Sequence, residues 1–166
     1  MTDPADVRPA TQADAAALAE LERASNLLAL AHVFPADEHP FPTADVEDRW
    51  RRVLADPGVT VEVVDGSVGD LLAFVAYDER VLRHLAVHPT RWRRGWGRAL
   101  VERAVSHMGP EPRLWCLVDN AGARSLYERL GWRATGREQP AEWPPHPAEI
   151  EYARDEPDHP LTASVE

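Results

Sequence analysis

Apolar residues recur along this chain with two different periods, and the changes of period mark its elements. Ala17, Leu18, Leu21, Ala24 and Leu28 return every three or four positions, the spacing of one face of a helix. Thr11-Gln12-Ala13-Asp14 just before them has the form of a capping box, in which hydroxyl and carboxylate satisfy the open N–H groups of a helix start. Ala31–Pro42 holds Pro35, Pro40 and Pro42 and predicts a loop, with Phe34 and Phe41 as aromatic anchors. Thr43 is placed to cap a second helix whose inner face is Val46, Trp50, Val53 and Leu54, closed by Asp56-Pro57-Gly58. Three β-rich runs then predict consecutive antiparallel strands: Val59–Val64, Leu71–Tyr77 and Val81–Val87, with Asp65-Gly66 as a turn and Pro89 as a stop. Helical spacing returns at Leu100, Val101, Ala104, Val105 and Met108, with Arg98, Glu102 and Arg103 facing out. Arg113–Val118 is a strand. Asn120 opens a further helix carrying Ala123, Leu126, Tyr127 and Leu130 on one face, and Gly131 suits its left-handed end. Trp132–Arg137 and Ala148–Arg154 read as strands separated by a loop, Gln139–Pro147.

The strands at 81–87 and 113–118 are joined through a helix, so they are expected to run parallel. The reading is an α/β fold with a mixed central sheet flanked by about four helices. A single domain is expected over residues 1–154, with a flexible acidic tail at 155–166.

Composition narrows the function. A chain of 166 residues with 44% hydrophobic residues and six Trp is long enough for a sizeable core. No apolar run reaches the roughly 18 residues of a membrane span. Met1–Arg8 lacks the basic start and apolar stretch of a signal peptide, so the expected location is cytoplasmic. Cys116, alone of its kind, sits in an apolar run and reads as a core thiol. All 18 basic residues are Arg, which excludes Schiff-base lysine chemistry and the P-loop lysine. An Ala- and Arg-rich chain without Lys is also the composition of a GC-rich bacterial genome. The net charge of −10 argues against nucleic-acid binding. The seven His show no metal-ligand spacing, and no metal is expected.

One segment concentrates chemistry. Between Leu85 and Leu100 a strand passes through a basic, glycine-bearing loop into a helix. The helix start offers unpaired N–H groups, and Gly95 and Gly97 let a ligand approach the backbone. Arg91, Arg93, Arg94 and Arg98 add cations with no acid among them. This is an anion site that suits a pyrophosphate. A dinucleotide fingerprint fails because Leu100 stands where its third glycine belongs.

Here the sequence resembles the GNAT superfamily of acetyl-CoA-dependent N-acetyltransferases. Its central motif runs from Val-x-Pro through Gln/Arg-x-x-Gly-x-Gly/Ala into a helix. Val87-His88-Pro89 and Gly95-Trp96-Gly97 match, while the Gln/Arg position holds Trp92. A second motif, Asn-x-x-Ala-x-x-x-Tyr followed by Leu-Gly-Phe, is met by Asn120, Ala123, Tyr127 and Leu130-Gly131-Trp132.

The resemblance implies a sheet whose parallel pair splays apart at a coenzyme A cleft. The pantetheine arm is expected on main-chain groups of Leu85 and Val87. The pyrophosphate is expected on Arg93–Arg98, with Trp92 in place of the motif's Gln/Arg and Asn120 and Ala123 beside the pantetheine. A main-chain N–H of Ala86 or Val87, near an irregularity in that strand, is expected to face the developing oxyanion. Tyr127 is the candidate acid for the leaving thiolate. The base stays open among Glu79, His84, the loop residues His32, Glu38 and His39, and a water chain. The acceptor is an amine of a small molecule or peptide, walled by Phe34, Phe41 and Trp143. The alternative is a catalytically silent acyl-CoA-binding module on the same fold. No membrane or nucleic-acid partner is expected, and a monomer and a homodimer are equally open.

Overall fold

The computed structural model describes residues 6–155. The expected tail, apart from Asp155, lies outside them. Seven strands form one sheet: β1 (Val7–Pro9), β2 (Thr60–Asp65), β3 (Leu71–Tyr77), β4 (Val81–Val87), β5 (Arg113–Leu117), β6 (Arg133–Pro140) and β7 (Ala148–Ala153). Four α-helices flank it: α1 (Ala15–Ala29), α2 (Thr43–Ala55), α3 (Trp96–His107) and α4 (Ala121–Arg129). The spatial order is β1-β2-β3-β4-β5-β7-β6. Every neighbouring pair is antiparallel except β4 and β5, which run parallel across the α3 crossover, as the sequence predicts.

Two cores occupy the two faces. On one, Leu18 and Leu21 of α1 and Val46 and Trp50 of α2 bury themselves against Phe74, Ala76 and Ala86. On the other, Leu100, Val101 and Ala104 of α3 and Tyr127 of α4 pack with Val75, Leu82, Trp132 and Tyr152. Trp50 and Tyr152 are wholly excluded from solvent, each removing a large apolar area from water.

Several details depart from the sequence reading. The edge strand β1 pairs with β2 and is unpredicted. Its three residues are too few to display an alternation. The Thr11–Asp14 box closes a 3-10 turn ahead of α1, with the Asp14 carboxylate accepting the Thr11 N–H at 2.8 Å. Leu28, expected on the inner face of α1, is 66% exposed. Thr43 is the first residue of α2, not its cap; Pro42 holds the cap position and no side chain caps there. Arg103 does not face solvent freely. Its guanidinium reaches the buried Glu62 carboxylate at 2.8 Å, which also accepts the Tyr77 hydroxyl at 2.8 Å. Gln139 and Pro140 belong to β6, so the following loop is shorter than expected. Cys116 is buried, as expected of a core thiol.

Among the described residues, no helix is long and apolar enough to cross a membrane.

Candidate functional site

The parallel pair is brief. β4 and β5 register only at Val81↔Arg113 and Leu82↔Leu114, and beyond this point they separate. The cause lies in β4. Against β3 its register shifts by one residue, Tyr77 facing Leu82 but Ala76 facing His84, so Arg83 is an extra residue. Such a bulge bends its strand and increases the twist. The irregularity was expected nearer Ala86 and Val87; it sits just before the strands part.

The register also fixes which main-chain groups look into the gap. The His88 N–H donates to the Leu72 carbonyl at 2.7 Å, which makes Leu72–His88 a hydrogen-bonded pair. Such pairs alternate along an antiparallel ladder. Ala86 opposite Phe74 is therefore bonded to β3 as well. Leu85 and Val87, opposite Val75 and Ala73, turn their N–H and C=O away from β3, toward the gap. This corrects one expectation: the Ala86 N–H is committed to β3 and cannot face an oxyanion, whereas Val87 can. By the same rule Leu117 of β5 looks toward the gap, where its carbonyl accepts the Asn120 N–H at 3.0 Å.

The gap is a cleft of about 180 Å³ that joins the two faces of the sheet. Tyr127, Ala123 and Asn120 line it from the α4 side, and Glu22, Asn26 and His84 from the α1 side. Leu85, Ala86 and Cys116 form its banks. Asn120 caps α4, its side-chain oxygen accepting the Ala123 N–H at 3.2 Å. That leaves its amide NH2 for the cleft. Burial pushes the Tyr127 phenol well above its ordinary value, and Cys116 nearby pushes the same way. The phenol thus keeps its proton. Burial also drives the Cys116 thiol up to about 12, so it is no nucleophile at neutral pH.

At the end of β4 the chain turns through Pro89–Arg91 and enters α3. Arg93 and Gly95 take left-handed φ values of 58° and 87°. Adjacent N–H groups in such turns converge into an anion-binding concavity. No acceptor among the described residues takes the N–H of Arg93, Arg94, Gly95, Trp96, Gly97 or Arg98; the first helical donor is Ala99, to the Gly95 carbonyl. No side chain caps the helix. Arg91, Arg93, Arg94 and Arg98 are exposed and have no carboxylate partner among the described residues. Gly95 is required by its φ. Gly97 is closely packed: a Cβ there would lie 3.2 Å from Leu126 Cδ2 of α4, so that side chain would have to shift slightly.

Other expected residues scatter. Glu79 is exposed in the β3–β4 turn beside a separate cavity of about 370 Å³. It lies seven residues down β4 from Ala86, roughly 20 Å at the rise of a strand, so it does not serve this cleft. His84 does line the cleft, packed edge-on against Trp50 at 5.1 Å. Burial first, then Arg49 and Arg83, lower its pKa to about 3, leaving a neutral and weakly basic imidazole. His32 Nε2–H donates to the Asp119 carbonyl, 2.8 Å away, tying the 31–42 loop to the start of α4. Phe41 and Trp143 both pack on the α1/α2 core. Phe34 is half-buried and is not among the residues on that core. Among the described residues no three His, Cys, Asp or Glu side chains gather as a metal site requires.

The sequence reading missed Glu22. Its Oε2 accepts the Trp50 indole N–H at 2.9 Å and an Arg49 N–H at 2.5 Å. No donor among the described residues reaches its Oε1. No local signal carries this, because the partners lie 27 and 28 residues away.

With this geometry in hand, the comparisons with known proteins agree with one another. A family profile described as acetyltransferase (GNAT) family matches residues 21–132. A mycothiol acetyltransferase of Corynebacterium glutamicum is 31% identical over 88 residues, covering 53% of this chain but only 28% of that protein. The chain thus spans under a third of that relative. A GCN5-related N-acetyltransferase structure from Rhodopseudomonas palustris superposes with a TM-score of 0.74 at 20% identity, covering 93% of this chain and 97% of the other. The PaiA N-acetyltransferase of Thermoplasma acidophilum, solved with coenzyme A, gives 0.67 at 15% identity, covering 90% and 97%.

Proposed function

Because the chain belongs to the acetyltransferase (GNAT) family, a family of acyltransferases, we propose that it moves an acetyl group from acetyl-CoA onto the amine of a small molecule or peptide. The observation that carries this reading is the parting of β4 from β5 beyond Leu82 and Leu114, with Leu85 and Val87 turned to the gap beside six open N–H groups. An extended acyl-pantetheine arm completes the ladder that β4 leaves open. Its pyrophosphate rests on the N–H groups of Arg93–Arg98 and between the exposed arginines.

The amine approaches from the α1 side and attacks the thioester carbonyl as the free base. Its proton leaves toward the Glu22 carboxylate, directly or through water, since that group lines the cleft on the α1 side with its Oε1 uncommitted among the described residues. The carbonyl electrons move to oxygen, where the Leu85 N–H, turned to the gap just beyond the Arg83 bulge, stabilises them; one such donor is worth about 3–4 kcal/mol. The C–S bond then breaks. The departing sulfur takes the proton of Tyr127, which burial keeps in place for it. The products are the acetamide and free coenzyme A.

Thiol release from acetyl-CoA against a diverse amine panel tests the reading, together with acetyl-CoA binding by calorimetry. Binding without thiol release for any amine would favour the silent module, and absence of binding would remove both.

A further inference from the structure

The loop that carries the open N–H groups is tied down by a side chain that the anion reading leaves unused. Trp92 is the residue just before the left-handed Arg93. Its indole N–H donates to the Val87 carbonyl at 2.7 Å. That carbonyl is one of the groups that the β3–β4 register turns toward the gap. Trp92 therefore folds back toward β4 and fastens the phosphate loop to the last residue of that strand. His88 braces the same turn from below, Nδ1 lying 2.8 Å from the Thr90 hydroxyl. The indole is 39% exposed, so its ring adds little to the core and its N–H is what the contact supplies.

We propose that Trp92 is a positioning residue for coenzyme A. It holds the Arg93–Arg98 N–H groups in the left-handed turn that receives the pyrophosphate, and it closes the strand-like part of the site at Val87. This rests on the acetyl-CoA reading above. Two consequences follow from the geometry. With its carbonyl taken by the indole, Val87 offers an incoming arm only its N–H, so pairing with β4 runs through both groups of Leu85 and ends at the Val87 N–H. The phosphates must then begin where the loop begins. Without the tie, the arginines and the helix remain, but the loop spends part of its time in conformations that do not converge its N–H groups.

Trp92→Phe keeps an aromatic ring and deletes the donor. Calorimetric titration with acetyl-CoA, and competition by inorganic pyrophosphate, read its effect in the folded protein. The expected result is a dissociation constant about two- to thirteenfold larger, the range of one neutral hydrogen bond at about 0.5–1.5 kcal/mol. The same factor is expected for pyrophosphate, because the loss lies in the phosphate loop. At saturating acetyl-CoA, turnover should return to the wild-type value. Unchanged binding of both probes would overturn the proposal. So would a loss confined to acetyl-CoA with pyrophosphate unaffected, since the ring would then be acting on another part of the cofactor. Thermal melts of the variant separate a folding defect from a binding one. A wild-type protein that binds no acetyl-CoA fails the reading beneath the proposal instead.

Discussion

Two buried tryptophans offer a matched test of how polar atoms are satisfied around the cleft. Trp50 and Trp132 are 0% and 2% exposed. The Trp50 indole N–H donates to Glu22 Oε2 at 2.9 Å, and Arg49 lies 5.1 Å above its ring. The Trp132 indole N–H is buried with no partner among the described residues. Replacing either by Phe removes the same part of the ring, a loss of about 1–2 kcal/mol by cavity arguments. At Trp50 the change also deletes a hydrogen bond to a carboxylate, about 1.5–3 kcal/mol more. At Trp132 it removes an unsatisfied donor and recovers about 1–3 kcal/mol. Trp50→Phe should therefore destabilise by about 3–5 kcal/mol, a large fraction of the roughly 5–15 kcal/mol of a domain. Trp132→Phe should fall within about 1 kcal/mol of the wild type. Equilibrium urea unfolding resolves this, since a difference near 3 kcal/mol moves the midpoint by about 1–3 M at ordinary m-values. Equal destabilisation by the two substitutions would refute the reasoning.

Three further outcomes are expected. Tyr127→Phe should lower turnover about 100-fold, within the range for one positioned acid, while calorimetry finds acetyl-CoA binding unchanged; full turnover would remove Tyr127 from the mechanism. Acetyl-CoA binding should weaken at least about threefold as salt rises from about 0.01 to 0.15 M, because the Debye length shrinks from about 30 to 8 Å around exposed arginines; a flat salt titration would place the phosphates elsewhere. Stability should fall as pH drops below about 6.5. His84 has a folded pKa near 3 against an ordinary value of about 6.5, so between these the unfolded chain binds the extra proton and stability rises with pH. Urea midpoints measured between about pH 6.5 and 4.5 should lose this slope in His84→Gln. Asp14, Asp65 and Asp78, all held below the usual carboxylate range, add their own loss only as the pH falls further.

The site was legible where it depends on backbone chemistry written into short segments. Val87-His88-Pro89, the left-handed Gly95 and the capping Asn120 each dictate a local conformation, and all three adopt it. What depends on long-range register was not legible. The run Val81–Val87 reads as a regular strand, yet Leu82, Leu85 and Val87 pack on one face and Ala86 on the other. Leu82 and Leu85 can share a face only if an extra residue lies between them, and that odd spacing was the one available sign of the Arg83 bulge. Glu22 offered no sign, since it becomes part of the cleft only when α2 brings Arg49 and Trp50 against α1. Glu79 has the right chemistry in the right segment of sequence, but the hairpin sends it to the opposite end of β4.

Splitting a sheet leaves main-chain groups without partners, which is costly in a dry interior. The arrangement here confines that penalty. β4 remains bonded to β3 along its whole length up to Val87, and β5 to β7 through Leu117, so each bank of the gap is held from its far side. Only the inward-facing groups of alternate residues are open, and of these the carbonyls of Val87 and Leu117 already have donors, from Trp92 and Asn120. What remains open on β4 is therefore weighted toward N–H groups, with the Leu85 carbonyl beside them, and N–H groups call for carbonyl, oxyanion and phosphate oxygens. The same bias runs from Val87 into Arg93–Arg98. A protein of net charge −10 can hold a polyanion on this path because the recognition is made by donors within hydrogen-bonding reach, beside arginines that pair with no carboxylate among the described residues, while salt screens distant charges.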